Sequence, residues 1–240
     1  MEIDYKDQVV LITGATRGIG KQIADDMAAA GAHLILTGTK ANSKKRLKAR
    51  YLKADFTNRE SLNAFISQLN KIKRIDVCIN NAGINRINYI DETKPKDWDD
   101  IIAVNLTAPF LIIRAIARKM KNQKYGRVVN ISSIFGVVSK EKRSVYSASK
   151  FGLRGLTVAA SNELARHGIL VNSVCPGIVL TDLTKSILSS AERDEIAAHI
   201  PVGRLATPDE ISKVVLFLAS KLNTYITGQD IIVDGGYVNV

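Results

Sequence analysis

Short apolar runs alternate with stretches of helical periodicity along the whole chain. Val9–Thr13 (VVLIT) is β-branched, ends at glycine and predicts a strand buried on both faces. Residues 19–30 repeat apolar positions at helical spacing and stop at Gly31, a suitable residue just past a helix end. Strands are then predicted at 33–37 and 51–54, a helix at 58–72 with Leu62, Phe65, Ile66 and Leu69 on one stripe, and a strand at 76–79. A long helical region follows from about 97 to 120, around Asn105. Beyond it come a strand at 127–131, a helix at 147–167, a strand at 170–174, an irregular helical stretch at 181–199, a helix at 208–220 opened by Pro208, and a last strand at 230–233. Repeats, low-complexity tracts and linkers are absent, so one domain over 1–240 is expected. Seven strands alternating with helices predict an α/β fold, a Rossmann-type doubly wound parallel sheet with helices on both faces.

Composition narrows the class. With 46% apolar and 24% charged residues, the 240-residue chain is ordinary globular material that needs no disulfide or structural metal to hold a core. Cys78 and Cys175 lack metal-binding spacing and predict small core residues of a reduced, cytoplasmic protein. The N-terminus has no signal-peptide pattern, and no run approaches 18 uncharged apolar residues, so no membrane association is expected. The net charge of +11 is regional: residues 40–50 and 114–127 each hold six basic and no acidic side chains. These segments could meet phosphate, nucleic acid or an acidic protein, or form solvated helix faces. A nucleic-acid-binding motif is missing, which argues against a non-catalytic nucleic-acid binder.

Candidate chemistry begins after the first strand. Thr13-Gly14-Ala15-Thr16-Arg17-Gly18-Ile19-Gly20 runs straight into a helix. Gly14 permits a tight turn, Gly18 a close ligand approach, and Gly20 close packing of helix on strand, while the helix start offers free N–H groups to a pyrophosphate. The spacing is G-x3-G-x-G, one step from the generic dinucleotide fingerprint. Where an NAD enzyme carries an acid at the end of the second strand, this chain has Thr39 and Lys40. A hydroxyl and an ammonium there, with Arg17 in the turn, predict NADP(H) over NAD(H).

Tyr146 and Lys150 stand four apart on one helix face, and Ser133 follows the fifth strand at a sheet's ligand-binding end. A cation near a phenol lowers its pKa from about 10, so Tyr146 could exchange a proton with an alkoxide or alcohol while Ser133 holds the substrate oxygen.

The motifs TGATRGIG at 13–20, NNAG at 80–83, Asn105, Ser133, Tyr146 with Lys150, and Pro176-Gly177 together resemble the short-chain dehydrogenase/reductase family across essentially the whole length. The resemblance implies that Ser133 positions a carbonyl, Tyr146 is the acid/base, Lys150 lowers the phenol's pKa and bonds the nicotinamide ribose, and Asn105 holds a water of the proton relay. It also implies cofactor contacts from Asp55 and Phe56 at the adenine, from Asn81, Ala82 and Gly83 at the ribose, and from Pro176, Gly177, Val179 and Thr181 over the nicotinamide. Within the family, NAGI at 81–84, VNLTAPF at 104–110 and YITGQDIIVDGG at 225–236 are most similar to the ketoreductases of fatty-acid synthesis. That branch implies a 3-oxoacyl thioester on acyl carrier protein, docked by basic residues beside the site entrance at Lys124, Arg166 and His167, and a homotetramer. His167 stands where an arginine is expected. The alternative substrate is a small ketone, sugar or cyclic alcohol. A metal is not expected.

Overall fold

The computed structural model describes residues 3–39 and 47–239, apart from the side chains of Leu183 and Ile187. Lys40 and most of the first basic segment lie outside the described residues. Seven parallel strands form one sheet: β1 (Val9–Ile12), β2 (His33–Gly38), β3 (Ala49–Lys53), β4 (Val77–Asn80), β5 (Gly126–Ile131), β6 (Ile169–Pro176) and β7 (Asp230–Val233). Their order is β3-β2-β1-β4-β5-β6-β7, so the chain reverses direction across the sheet between β1 and β4. Ile12 pairs with both Leu36 and Ile79, which sets the ends of β1, β2 and β4 level at that reversal point.

Both faces of the sheet are covered. Leu11, Cys78, Val128 and Val171 point into one apolar cluster, with α2 (Arg59–Asn70), α4 (Ala108–Gln123) and α5 (Ser144–Leu164) packed over it. Val10, Ile12, Ile79, Val129 and Val174 point into the other, beneath α1 (Gly18–Ala29) and α8 (Pro208–Ala219). Burial on two faces is why these strands read as unbroken apolar runs rather than alternating ones. Gly31 follows α1 with φ 87°, and the Ala32 N–H reaches back to the Met27 carbonyl, so the predicted helix stop is the observed one.

The long helix around Asn105 is three pieces. α3 (Pro95–Ile102) leads into a π turn at Ala103–Thr107, and α4 follows. Pro109 has no N–H to give the carbonyl of Asn105 four residues back, and the ladder widens there to a bond from the Ala108 N–H to the Ala103 carbonyl. By length and composition alone Pro95–Gln123 could cross a bilayer, with a mean hydropathy of 1.7. Its Ile101, Val104, Ala108, Ile112, Ile116 and Met120, however, are buried, and all but Ile101 belong to the core cluster. The stretch at 181–199 is two helices, α6 (Asp182–Ile187) and α7 (Ser190–Ala198), separated where Ser189 and Glu192 form a reciprocal capping box.

One basic residue departs from a solvated face. Arg127 is 6% exposed, donates to the carbonyls of Gly126, Gly168, Ser220 and Asn223, and stacks on Tyr125 at 4.6 Å. It is a structural strut.

Candidate active site

The turn after β1 is shaped by contacts with the end of β4. Gly14 has φ 65°, and a Cβ there would lie 2.9 Å from the Cα of Ala82. At Gly20 a Cβ would fall 2.2 Å from Asn81 Nδ2, so this glycine makes room for the Asn81 amide rather than for a strand. That amide donates to the carbonyls of Thr13 (2.9 Å) and Gly14 (3.0 Å). The Thr13 hydroxyl accepts the N–H groups of Asn81 and Ala82, both at 3.0 Å, and Thr37 Oγ1 accepts that of Gly14 at 3.2 Å. Sequence reading missed Thr13 and Thr37. Their signal was a hydroxyl at the C-terminal end of a buried strand.

These contacts hold α1 with its N-terminus toward the reversal point. No side chain caps α1, and its first turn carries no acid, whereas α2, α7 and α8 are capped by Asn58, Ser189 and Thr207. Thr16 and Arg17 are exposed, Ala15 is buried, Gly18 has φ 55°, and Ile19 is half-buried. Across the turn, Thr181 approaches within 3.4 Å of where a Gly18 Cβ would stand, which brings the segment after β6 over the glycine loop. Thr39 is exposed at the end of β2. Free N–H groups, a cradle without Cβ atoms and a nearby guanidinium suit a dinucleotide's pyrophosphate and an adenosine phosphate.

The adenine expectation changes in detail. The Phe56 side chain is 5% exposed and packs on Phe65 with ring centroids 5.5 Å apart, so it belongs to the core and has no face to offer a base. Asp55 Oδ1 accepts from the N–H and hydroxyl of Thr57, and the carboxylate braces its own turn. Pro176 and Val179 are buried, and Gly177 packs against Asp234, which fixes the path of the chain leaving β6.

Ser133, Tyr146 and Lys150 come together just beyond β5. Ser133 Oγ accepts the Phe135 N–H at 3.1 Å, leaving its own proton to donate. It also bonds the Tyr146 phenol. Lys150 is 3% exposed, donates to the Ile131 carbonyl at 2.8 Å, and stands 5.6 Å from the Tyr146 ring centroid. A Cβ on Gly83 would meet both Asn105 Oδ1 (3.6 Å) and Lys150 Nζ (3.8 Å), so the loop after β4 closes on the same spot.

The electrostatics differ from expectation. Burial raises the Tyr146 pKa, opposed by the Ser133 hydrogen bond and then by Arg143. Burial also pushes the Lys150 pKa down to about 8. Asn105 differs too. Its Oδ1 accepts the Ile84 N–H (2.9 Å), and its Nδ2 donates to the Ile84 carbonyl and to Ser149 Oγ, both at 3.0 Å. Three of the side chain's four hydrogen-bonding capacities are thus used, with one Oδ1 lone pair left; the side chain ties the π turn to α5, whose Ser149 hydroxyl donates to the Tyr146 carbonyl.

A buried polar chain fastens α5 to the sheet. Asn80 Nδ2 donates to Asn130 Oδ1 (2.8 Å), Asn130 Nδ2 to Thr157 Oγ1 (2.9 Å), and Thr157 lies 2.9 Å from Ser173 Oγ. Of these residues only Asn80 falls in a motif read from the sequence, although asparagine inside an apolar strand is the trace that Asn130 leaves too.

The residues expected to meet an acyl carrier protein are not beside this entrance. Lys124 ends α4 ahead of β5, with its carbonyl 2.5 Å from where a Gly168 Cβ would lie, and Arg166 and His167 immediately precede β6. All three are at the N-terminal ends of β5 and β6, whereas Ser133 follows the C-terminal end of β5, about 20 Å away along its six residues. Chain order had concealed this: α4 and α5 run back along the sheet, placing their two ends at opposite rims.

A glycine-cradled helix start at the reversal point, beside a Ser–Tyr–Lys cluster on a doubly wound sheet, defines a nucleotide-dependent oxidoreductase. The family model described as enoyl-(acyl carrier protein) reductase matches residues 14–238. The chain belongs to the short-chain dehydrogenase/reductase family. It is 40% identical over 247 aligned positions to the 3-oxoacyl-[acyl-carrier-protein] reductase of Aquifex aeolicus, covering 98% of this chain and 99% of that one. The corresponding enzyme of Vibrio cholerae is 36% identical, with 98% of each chain covered. Among solved structures, a putative NAD(P)-dependent gluconate 5-dehydrogenase from Beutenbergia cavernae with bound NADP superposes with a TM-score of 0.93 at 33% identity, covering 99% of both chains.

Proposed function

We propose that this chain is an NADPH-dependent ketoreductase that converts a 3-oxoacyl thioester carried on acyl carrier protein to the 3-hydroxyacyl product. The observation that carries this reading is the Tyr146 phenol and the Ser133 hydroxyl converging with Lys150 beside the nucleotide cradle. Full-length similarity to carrier-linked 3-oxoacyl reductases supports the substrate class. The bound cofactor supplies the hydride. Ser133, its hydroxyl oriented by the Phe135 N–H it accepts, donates to the substrate carbonyl oxygen and fixes its position. Tyr146, kept protonated at neutral pH by burial, gives its proton to that oxygen as negative charge develops. Lys150 spends one donor on the Ile131 carbonyl and directs the rest toward the cofactor ribose. Gly14, Ala15, Thr16, Arg17, Gly18, Ile19 and Gly20 cradle the pyrophosphate. Thr39 and Arg17 meet the adenosine phosphate, and Asn81 to Gly83 and the segment from Pro176 to Thr181 enclose the ribose and nicotinamide. Asn105 acts by positioning.

A carrier protein docked on Lys124, Arg166 and His167 serves this site only when those residues come from a neighbouring copy in a homo-oligomer. A second reading, a sugar-acid dehydrogenase, draws on the likeness to the gluconate 5-dehydrogenase. Initial rates of NADPH oxidation separate the two. Turnover of an acetoacetyl thioester well above that of plain ketones supports the proposal, and activity confined to keto sugar acids or plain ketones rejects it.

A further inference from the structure

Arg143 immediately precedes α5, three residues before Tyr146. Its guanidinium carbon lies 5.4 Å from the centroid of the Phe135 ring, and that ring meets Tyr146 edge-on with centroids 6.4 Å apart. The charge is thus one aromatic ring away from the reacting phenol. Arg143 Nε and Nη1 are buried and have no hydrogen-bond partner, and no described carboxylate pairs with the residue. Buried guanidinium donors in folded proteins are almost always matched by an acceptor. Two neighbouring cations are occupied: Arg86 faces Asp97 at 3.7 Å, and Lys142 lies over the Tyr89 ring at 4.4 Å. Arg143 thus stands beside the phenol with Phe135 as their shared neighbour, and each lies within the other's field.

We propose that Arg143 is a specificity residue that hydrogen-bonds a second oxygen of the substrate, two carbons from the ketone under reduction. In a 3-oxoacyl thioester that oxygen is the thioester carbonyl, and in a 3-keto acid it is the carboxylate. Both satisfy the stranded donors, while a plain ketone leaves them unpaired. A site built to bond a substrate oxygen discriminates strongly against analogues that lack it. The inference rests on Tyr146 being the proton donor of the proposed function, but not on which of the two oxygens is the natural one.

Arg143→Met and Arg143→Lys variants are compared with the parent on acetoacetyl-N-acetylcysteamine, acetoacetate and cyclohexanone, with NADPH affinity followed by fluorescence. Arg143→Met is expected to lose at least about 30-fold in kcat/KM on whichever oxygen-bearing substrate the parent reduces, and to stay within about 3-fold on cyclohexanone. NADPH affinity should hold, and Arg143→Lys should recover part of the loss. An equal loss on all three ketones, or no loss on any, overturns the inference. Parent activity on acetoacetate but not on the thioester removes the proposed natural substrate and leaves the Arg143 assignment standing. Binding of the oxygen-bearing substrates to the NADPH complex of a Tyr146→Phe background gives a readout free of turnover. Unchanged affinity on adding Arg143→Met contradicts the inference.

Discussion

The Lys150 ammonium lies 5.6 Å from the Tyr146 ring and is bonded at 2.8 Å to the carbonyl of Ile131, at the end of the strand that leads to Ser133. The lysine is thus held by the sheet, and the tyrosine is brought to it by one turn of helix. Lys150 is buried and Tyr146 half-buried, and loss of water is the largest influence on each pKa, driving the two in opposite directions. The phenol keeps its proton and the amine gives up its own more readily.

A pH profile follows from that pair. In the reducing direction the proton must be on Tyr146, and its raised pKa keeps it there through neutral pH. Lys150 loses its charge as pH rises through about 8. The kcat/KM for ketone reduction should therefore be flat on the acid side of neutrality and fall above about pH 8. A falling limb near pH 6.5, in the histidine range, would point to a different group.

Stability should carry the same signature. Lys150 titrates near 8 in the folded chain and at 10.5 in the unfolded one, so between these values the unfolded state binds more protons. The cost of burying the charge is full below pH 8 and relieved as pH rises to 10.5. Unfolding free energy of the parent relative to Lys150→Met should thus climb with pH in that window, by at most about 1.4 kcal/mol per pH unit. Urea titrations at neutral pH and at an alkaline pH inside the window measure it. Parallel curves would show that the ammonium is not desolvated.

Cofactor preference is set at the rim of the glycine turn. Exposed Thr39 and Arg17 leave no carboxylate to repel a 2′-phosphate. Thr39→Asp should raise the KM for NADPH by roughly tenfold or more and improve NADH, and Arg17→Ala should weaken NADPH more than NADH. Steady-state kinetics with both nucleotides decides it. Equal effects on the two would place the phosphate elsewhere.

Gly20→Ala should fail for a reason local to Asn81. The added Cβ would lie 2.2 Å from Asn81 Nδ2 and 2.5 Å from the Gly14 carbonyl, breaking the brace between β1 and β4. A loss of about 2 kcal/mol in stability is expected, with a larger proportional loss of nucleotide affinity. Thermal unfolding with and without NADPH reports both. A variant of parental stability would mean that the amide is free to move.

The elements were readable because doubly buried strands leave unbroken apolar runs, and Gly31 marks a helix end by needing a positive φ. The site was readable where function depends on spacing along one element, as with Tyr146 and Lys150 on α5. What stayed hidden depends on partners distant in sequence. Phe56 adjoins an acid in the chain but packs on Phe65, and Arg127 reads as surface charge until Ser220 and Asn223 are folded against it. Lys124, Arg166 and His167 share one rim, yet only the strand order shows it to be the rim away from Ser133. The widening of the long helix was encoded in Pro109, whose missing N–H acts on a carbonyl four residues earlier.

The central claim is that the Tyr146 hydroxyl delivers the proton during NADPH-dependent carbonyl reduction. It is tested most directly by single-turnover stopped flow, mixing the NADPH complex of the parent or of Tyr146→Phe with an acetoacetyl thioester. The parent should consume bound NADPH, while the variant should bind NADPH with parental affinity and react at least about 1,000-fold more slowly. A variant that oxidises its NADPH at the parental rate would contradict the account.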